Sequence, residues 1–418
     1  MILELKNKFE NLSPEEMMIA RWKHEQRKDD RRLLSAIDVN MGAELYPGLA
    51  IFFAKMVLGN PAKTFYPLID PTISLTWLYC NGCQLCPTKS SLKFKLNHYE
   101  VSNSIKGKNV ACDDKMCSMI DKNSMEQECS DNICKYSMEY VFGGAMTAGN
   151  VVSDTLLINT VTGNNQTSPV FTDFVFGCGF DQYNGLENSD WAFDGSLGVG
   201  MSNLSMLSQL IASKHVKKNT WSHCFKRESK GGTMAFGEVE MQKEMKMTPL
   251  VPDSEMYKVT VVNFSIGGKP IAVDDEQETL IDISSAYNYF PDTIYTAILT
   301  EIQNAFQNLK FTQPDPFSCF LYNNGRIDDD FPVITYTFKG GVELKLSPNQ
   351  YIFERSADEW CLAIINSNKK TLKNYFIITE SALMGRLVVY NVGKKKIGWT
   401  DYDCECHEQS RLISHMKY

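Results

Sequence analysis

Residues 65–79 read Phe-Tyr-Pro-Leu-Ile-Asp-Pro-Thr-Ile-Ser-Leu-Thr-Trp-Leu-Tyr: an apolar run that ends at Asp70, a turn with hydroxyl side chains, and a second apolar run. Residues 279–290 read Thr-Leu-Ile-Asp-Ile-Ser-Ser-Ala-Tyr-Asn-Tyr-Phe and follow the same plan around Asp282, 212 residues later (282 − 70). Short apolar runs bounded by turn residues are typical of buried strands. One such turn in each half of the chain predicts two similar lobes that bring two carboxylates together.

Two carboxylates in one site can activate a water molecule, because like charges in close contact hold a shared proton. Asp70 and Asp282 are therefore the candidate catalytic residues. The sequence contains no HExxH, P-loop or GxSxG motif that would favour another chemistry.

The composition is that of a globular protein with room for two cores. The chain has 418 residues, of which 43% are hydrophobic and 22% charged, and its formal net charge is −8. An acidic chain gives no indication of nucleic-acid binding. No apolar stretch reaches the roughly 18 residues that span a bilayer, so no membrane span is predicted.

Thirteen cysteines are many for a chain of this length, and seven of them lie between residues 80 and 134. The spacing of Cys80, Cys83 and Cys86 is similar to the start of an iron–sulfur motif, but the fourth cysteine of that motif is missing. Disulfides are favoured instead, and no metal or cofactor is predicted. Disulfides indicate an oxidising compartment, and the odd count leaves at least one thiol free or paired with another chain.

Three sequons agree with a secreted protein and make Asn165, Asn203 and Asn263 candidate glycosylation sites. The first six residues, however, carry charges where the apolar core of a signal peptide would lie. No signal peptide is therefore visible, and either a first segment is missing or the protein is not secreted.

Residues 1–42 form a basic head in front of an acidic protein. The run Ser13-Pro14-Glu15-Glu16 is a good helix start, and residues 21–32 then carry six Lys and Arg against three acidic residues. This predicts a helix that is either a solvated surface element or a detachable segment covering an acidic cleft.

The rest of the chain has the pattern of a mostly β protein. Helical patterns are limited to residues 204–213 and 292–309, Gly340-Gly341 indicates a hairpin, and residues 232–252 are expected to join the two halves. Residues 134–149 predict a second hairpin, called the flap below, with Tyr140 near its glycine-rich tip. Such a hairpin can close over a cleft and exclude water.

Taken together, these pieces resemble the pepsin-like aspartic peptidases, and within them the cysteine-rich plant type. The resemblance covers residues 45–404 and rests on segments at residues 48–61, 81–87, 136–140, 176–178, 194–195, 222–224, 248–252, 389–391, 397–399 and 402–404.

The resemblance implies an all-β, bilobal fold with a substrate cleft between two β-rich lobes, at residues 45–245 and 250–404, followed by a tail at 405–418. It implies that Asp70 and Asp282 hold the attacking water and that Tyr140 acts from the flap. It further implies a disulfide between Cys319 and Cys361, a head that acts as a pro-segment and plugs the cleft, and a peptide or protein as substrate. A monomer in the secretory pathway, either extracellular or vacuolar, is expected.

The catalytic turns depart from the family's Asp-Thr/Ser-Gly-Ser/Thr pattern, since they read Asp-Pro-Thr-Ile at residues 70–73 and Asp-Ile-Ser-Ser at residues 282–285. The hydroxyl that follows each aspartate and braces the opposite loop is missing. Thr72 and Ser284 replace glycines and are expected to strain the backbone. The outer hydroxyl is lost at Ile73 and kept at Ser285.

The supporting loop of the second lobe also departs, with Thr379 and Glu380 where the family has Gly-Asp; the first lobe keeps Leu197-Gly198. Removing one preorganised donor from an active site costs about 10²–10³ in rate. The sequence therefore predicts an aspartic endopeptidase that is weak or inactive. The alternative is a peptide- or protein-binding, inhibitor-like relative without turnover.

Overall fold

The computed structural model describes residues 2–3, 39–43 and 50–404 of the chain, with internal gaps. The gaps are 91–94, 121–124, 141–143, 164–165, 189–192, 227–230, 238–244, 274–276, 286, 307–308, 313–316, 324, 357 and 370–374. The predicted head helix at residues 13–32, Asn165 and the tail at 405–418 lie outside the described residues.

Strands dominate the first half of the chain. They are β1 (Ile2–Leu3), β2 (Val39–Ala43), β3 (Ala50–Ala54), β4 (Met56–Leu58), β5 (Lys63–Phe65), β6 (Leu68–Asp70), β7 (Trp77–Tyr79), β8 (Lys108–Asn109), β9 (Met125–Ser130), β10 (Ile133–Glu139), β11 (Met146–Gly163), β12 (Gln166–Tyr183), β13 (Gly195–Gly198), β14 (Thr220–Phe225) and β15 (Gly232–Phe236).

The second half continues in the same way. Its strands are β16 (Met247–Pro249), β17 (Lys258–Ile266), β18 (Lys269–Ile271), β19 (Gln277–Ile281), β20 (Asn288–Phe290), β21 (Cys319–Leu321), β22 (Ile334–Phe338), β23 (Val342–Leu346), β24 (Ile352–Ser356), β25 (Glu359–Leu362), β26 (Ile364–Asn366), β27 (Phe376–Ile378), β28 (Arg386–Asn391) and β29 (Lys396–Asp401).

Helices are few and short among the described residues. They are α1 (Lys115–Ser118), α2 (Met206–Ala212), α3 (Asp292–Ala305), α4 (Ile327–Asp330) and α5 (Glu380–Leu383), with 3₁₀ turns at Val101–Asn103, Pro348–Gln350 and Ser367–Lys369. The Ser205 side chain caps α2 by accepting a hydrogen bond from the Ser208 backbone. No helix in the described part is long and apolar enough to cross a bilayer.

The two halves repeat one arrangement of four strands. In the first half the order is β6-β13-β7-β12, with β13 parallel to β6 and antiparallel to β7. In the second half the order is β19-β27-β20-β26, with β27 parallel to β19 and antiparallel to β20. Both aspartates therefore stand at the same end of equivalent strands. The predicted all-β, bilobal architecture is confirmed.

A six-stranded sheet with the order β1-β15-β14-β28-β29-β16 contains strands from both halves. The rings of Trp221 and Tyr390 stack on this sheet with centroids 3.9 Å apart. Within residues 232–252, expected to join the two halves, β15 pairs with β14 and β16 pairs with β29, and both strands belong to this sheet.

The described ends of the head are strands. β1 pairs with β15 at Ala235 and Met234, and β2 pairs with β3 along five residues. Residues 2–3 and 39–42 of the predicted helical head are thus extended, since each segment extends the edge of an existing sheet.

Six disulfides confirm the interpretation of the cysteines. The pairs are Cys80–Cys178, Cys83–Cys86, Cys112–Cys129, Cys117–Cys134, Cys224–Cys404 and Cys319–Cys361. Cys224 is thereby a structural residue. Its neighbour His223 is buried, and burial lowers the pKa of the imidazole to about 3.

Candidate active site

Both aspartates are buried at the ends of their strands. Asp70 is the last residue of β6, Asp282 directly follows β19, and their side chains are 1% and 5% exposed. A backbone hydrogen bond holds each aspartate in place: the Val199 amide donates to the Asp70 carbonyl, and the Asp282 amide donates to the Ile378 carbonyl. The carboxylates are therefore held by the sheets beneath them.

Hydrogen bonds reach Asp70 on both of its oxygens. The Thr72 amide donates to Oδ1 at 2.8 Å, and the Thr72 hydroxyl donates to the same oxygen at 2.6 Å. Ser196, which lies on β13, donates its hydroxyl to Oδ2 at 3.3 Å. The outer oxygen thus has a donor although Ile73 lacks the family's hydroxyl.

Asp282 has a simpler environment. The Ser284 amide and hydroxyl donate to its Oδ1 at 2.8 Å and 2.6 Å. Among the described residues these are its hydrogen bonds, and Ser285, predicted to keep the outer hydroxyl, does not contribute one. The register of the parallel strands places Ile377 opposite Leu280, as Ser196 stands opposite Leu68, so the second lobe has an apolar residue at the position of Ser196.

The expected backbone strain at the replaced glycines is not found. Neither Thr72 nor Ser284 is among the described residues with positive φ. Each donates its amide and adds a hydroxyl, so the substitution increases the number of donors to the carboxylate.

Among the described residues, no hydrogen bond joins the first catalytic turn, residues 70–74, to the second, residues 282–285. Pro71 has no amide hydrogen to offer, and Ile283 is buried in the core.

The strand behind each carboxylate is supported in the same way in both lobes. The Gly198 amide donates to the Thr76 hydroxyl at 3.0 Å, and the Thr379 amide donates to the Asn288 side chain at 3.0 Å. Thr76 and Asn288 each lie six residues after their aspartate. The second supporting loop was predicted to be degraded, yet it keeps this contact.

Burial raises the pKa of both carboxyls, and at Asp70 the charge of Asp282 adds to the rise. Burial and the nearby Asp282 charge raise the pKa of Asp70 to about 7, and hydrogen bonds from Thr72 and Ser196 oppose that rise. Burial also raises the pKa of Asp282. Since the two groups interact, the pair releases its last proton only near neutral pH.

Tyr140 lies where the flap meets this pair. Its hydroxyl accepts a hydrogen bond from Trp77 Nε1 at 2.9 Å. Burial and the Asp70 charge raise the pKa of Tyr140 well above its usual value. The flap tyrosine is therefore near Asp70, as the family resemblance implies.

The sequence reasoning missed Ser196 and Trp77. Ser196 lies 126 positions from Asp70 in the chain, and strand pairing brings it close. A signal did exist, since Ser196 is the one hydroxyl in the run Gly195-Ser-Leu-Gly-Val-Gly.

The remaining candidate residues lie apart from Asp70 and Asp282, which are called the dyad below. Asn203 and Asn263 are exposed, and the Cys319–Cys361 disulfide links β21 to β25. Within the described residues, no group of three or more His, Cys, Asp or Glu side chains is arranged to hold a metal ion.

Comparison with known families matches both halves of the chain. Residues 52–238 match the family described as xylanase inhibitor N-terminal, and residues 256–401 match the one described as xylanase inhibitor C-terminal. Aspartic proteinase 39 of Arabidopsis thaliana is 31% identical over 91% of this chain and 80% of its own length. Aspartic proteinase 36 of the same plant is 31% identical over 89% and 78%.

Solved structures share the fold at low identity. The basic 7S globulin from soybean has a TM-score of 0.68 at 15% identity and covers 89% of this chain and 98% of its own. Conglutin gamma from lupine seeds has a TM-score of 0.69 at 16% identity over 90% and 97%. The fold and the paired aspartates thus define a pepsin-like architecture. The chain belongs to the plant branch of the pepsin-like aspartic peptidase family.

Proposed function

We propose that this chain is an aspartic endopeptidase that hydrolyses extended peptides slowly, using Asp70 and Asp282. The observation that carries this proposal is the interaction of two buried carboxyls whose pKa values are raised, each of them with hydrogen bonds from its own loop. Such a pair holds one proton between two carboxylates over a range of acidic pH.

The chemistry follows from that shared proton. A water between the carboxyls attacks the peptide carbonyl carbon while the ionised carboxylate takes its proton. The protonated carboxyl gives its proton to the carbonyl oxygen, which forms a neutral tetrahedral diol. The protonated carboxyl then gives its proton to the amide nitrogen and the carbon–nitrogen bond breaks, while a hydroxyl of the diol gives its proton to the other carboxylate, so the pair again holds one proton.

Slow turnover is expected because the loops are less constrained than the family pattern. Without a hydrogen bond between residues 70–74 and 282–285, less fixes the two carboxyl planes relative to each other. The Thr72 and Ser284 hydroxyls also occupy the Oδ1 atoms, which weakens those oxygens as proton acceptors. One misplaced group can cost about 10²-fold in rate.

Restoring the family pattern tests the proposal. The variant Pro71→Thr/Thr72→Gly/Ile283→Ser/Ser284→Gly should cleave a denatured protein about 10-fold or more faster than the natural chain between pH 3 and 8. Exposed Asp113→Asn serves as the control and should leave the rate unchanged. An unchanged rate in the restored variant would contradict the account of the loops.

A second candidate is a peptide-binding protein without turnover, and the missing brace between the loops favours it. Titration with a peptide whose scissile bond is replaced by a hydroxyethylene group separates the two. Saturable binding with no cleavage by either the natural chain or the restored variant would support the binding protein.

We also propose a cellular location for the protein and a role for its N-terminal head. Six disulfides and the plant relatives support the secretory pathway, and we propose an extracellular or vacuolar location with glycans at the exposed Asn203 and Asn263. We further propose that the head, residues 1–42, acts as a pro-segment that plugs the cleft. A chain without residues 1–42 should then bind peptide more tightly.

A further inference from the structure

We propose that Ser196 is a positioning residue that fixes the Oδ2 oxygen of Asp70. The inference deepens the proposed function of the dyad and rests on it.

The first step is the hydrogen bond between Ser196 and Asp70. Ser196 is fully buried on β13, and its hydroxyl donates to Asp70 Oδ2 at 3.3 Å. Thr72 supplies both of its hydrogen bonds to the other oxygen, so Ser196 is the donor to Oδ2 among the described residues. Removing it leaves that oxygen without its donor.

The second step is the position of the flap tyrosine. Trp77 Nε1 donates to the Tyr140 hydroxyl at 2.9 Å, and the Asp70 charge contributes to the raised pKa of Tyr140. Ser196 and Tyr140 therefore approach the same member of the pair.

The third step is the asymmetry between the lobes. Asp282 receives its hydrogen bonds from Ser284, and Ile377 occupies the position equivalent to Ser196. A hydrogen bond to an ionised carboxylate favours the ionised form. Ser196 therefore stabilises ionised Asp70 and opposes the rise in its pKa that burial and the Asp282 charge cause. Asp282 has no equivalent donor on β27.

The test is the pH dependence of thermal unfolding of the full chain, because it needs neither cleavage nor a ligand. Ser196→Ala should raise the pH at which the pair loses its last proton by about half a unit to one unit. The stability difference between this variant and the natural chain should therefore grow as pH rises from 4 to 8. A difference of equal size at every pH would show that Ser196 only packs, and would overturn the proposal.

Two control variants show whether the effect comes from the Ser196 hydroxyl. Ser196→Thr keeps the hydroxyl and should retain the natural pH dependence, whatever constant offset the added methyl group causes. Ser202→Ala removes a nearby hydroxyl that accepts a hydrogen bond from the Leu204 amide, and should change stability equally at all pH values. A Thr variant that behaves like the Ala variant would also contradict the proposal.

Failure of the positioning role and failure of the endopeptidase give different results. If no variant cleaves peptide but the Ser196→Ala difference grows with pH, the endopeptidase fails and the positioning role stands. If the natural chain cleaves peptide and Ser196→Ala leaves the pH dependence of unfolding and of cleavage unchanged, the positioning role fails alone.

Discussion

At the scale of single residues, the dyad combines two buried carboxyls with unequal surroundings. Asp70 accepts three hydrogen bonds and Asp282 accepts two. The aspartates themselves were predictable, because each follows an apolar run and precedes hydroxyl residues in the sequence. Ser196 and Trp77 were not, because their contacts depend on strands that are distant in the chain.

The raised pKa of Asp70 predicts a particular pH dependence of stability. The folded chain holds a proton that the unfolded chain releases near pH 4, so the free energy of unfolding falls as pH rises from about 4 to about 7. Asp70→Asn should reduce this fall and raise stability at pH 7.5 by on the order of 2 kcal/mol, with little change at pH 4. Chemical denaturation at both pH values measures it.

The surface variant Asp113→Asn is the control for that experiment, and its stability should parallel that of the natural chain. Asp194, whose pKa burial raises to about 6, contributes a similar slope to all of these proteins and so cancels in the comparison. Equal slopes for the natural chain and Asp70→Asn would contradict the interaction between the two carboxyls.

A second residue-scale prediction concerns the support beneath the dyad. Tyr257 accepts a hydrogen bond from Trp221 Nε1 and donates to the Val199 carbonyl, both at 2.9 Å, and the Val199 amide holds the Asp70 carbonyl. Tyr257→Phe leaves buried polar groups without partners and should cost about 1–3 kcal/mol of unfolding free energy.

Tyr336→Phe is the matched control for Tyr257→Phe. Tyr336 is equally buried, but in the described part of the chain its hydroxyl has no hydrogen-bond partner. Its removal should be neutral or stabilising. Equal losses in the two variants would show that the Tyr257 hydrogen bonds do not contribute.

At the scale of elements, the strand behind each aspartate sets the geometry of the site. β13 approaches the loop after Asp70 so closely that a side chain at Gly198 would lie 2.2 Å from the Ser74 carbonyl oxygen. Gly198→Ala should therefore cost about 1–3 kcal/mol or more and abolish binding of the hydroxyethylene peptide. Thermal unfolding and calorimetry measure the two effects.

Gly393→Ala is the control, since its new Cβ would meet the Asn219 side chain at 3.4 Å, an ordinary contact. It should change neither quantity. Binding that survives in Gly198→Ala would contradict the role assigned to β13.

The sequence predicted individual strands, the helix after Ser205 and the hairpin at Gly340-Gly341, because these follow from local patterns. The hairpin joins β22 to β23, and both glycines have positive φ. Local patterns in the sequence did not predict that β15 and β16 belong to one sheet. Their pairing partners, β14 and β29, are set by contacts with distant parts of the chain.

At the scale of the whole molecule, disulfides secure the shared sheet. Cys224–Cys404 joins β14 to the segment after β29 and closes a loop of 180 residues, whereas Cys83–Cys86 spans a separation of 3. Loop-closure entropy predicts losses of about 5 kcal/mol and about 2 kcal/mol when each is removed. The paired variants Cys224→Ala/Cys404→Ala and Cys83→Ala/Cys86→Ala, compared by denaturation, test that order. The reverse order would contradict it.

The central claim, that Asp70 and Asp282 form a hydrolytic pair, is tested most directly by peptide cleavage. The natural chain and Asp70→Asn, prepared in parallel, are incubated with a denatured protein between pH 3 and 8, and new chain termini are identified by mass spectrometry. The account predicts slow cleavage by the natural chain, most rapid below neutral pH, and none by Asp70→Asn. Equal cleavage by both proteins, or none by the natural chain, would contradict it.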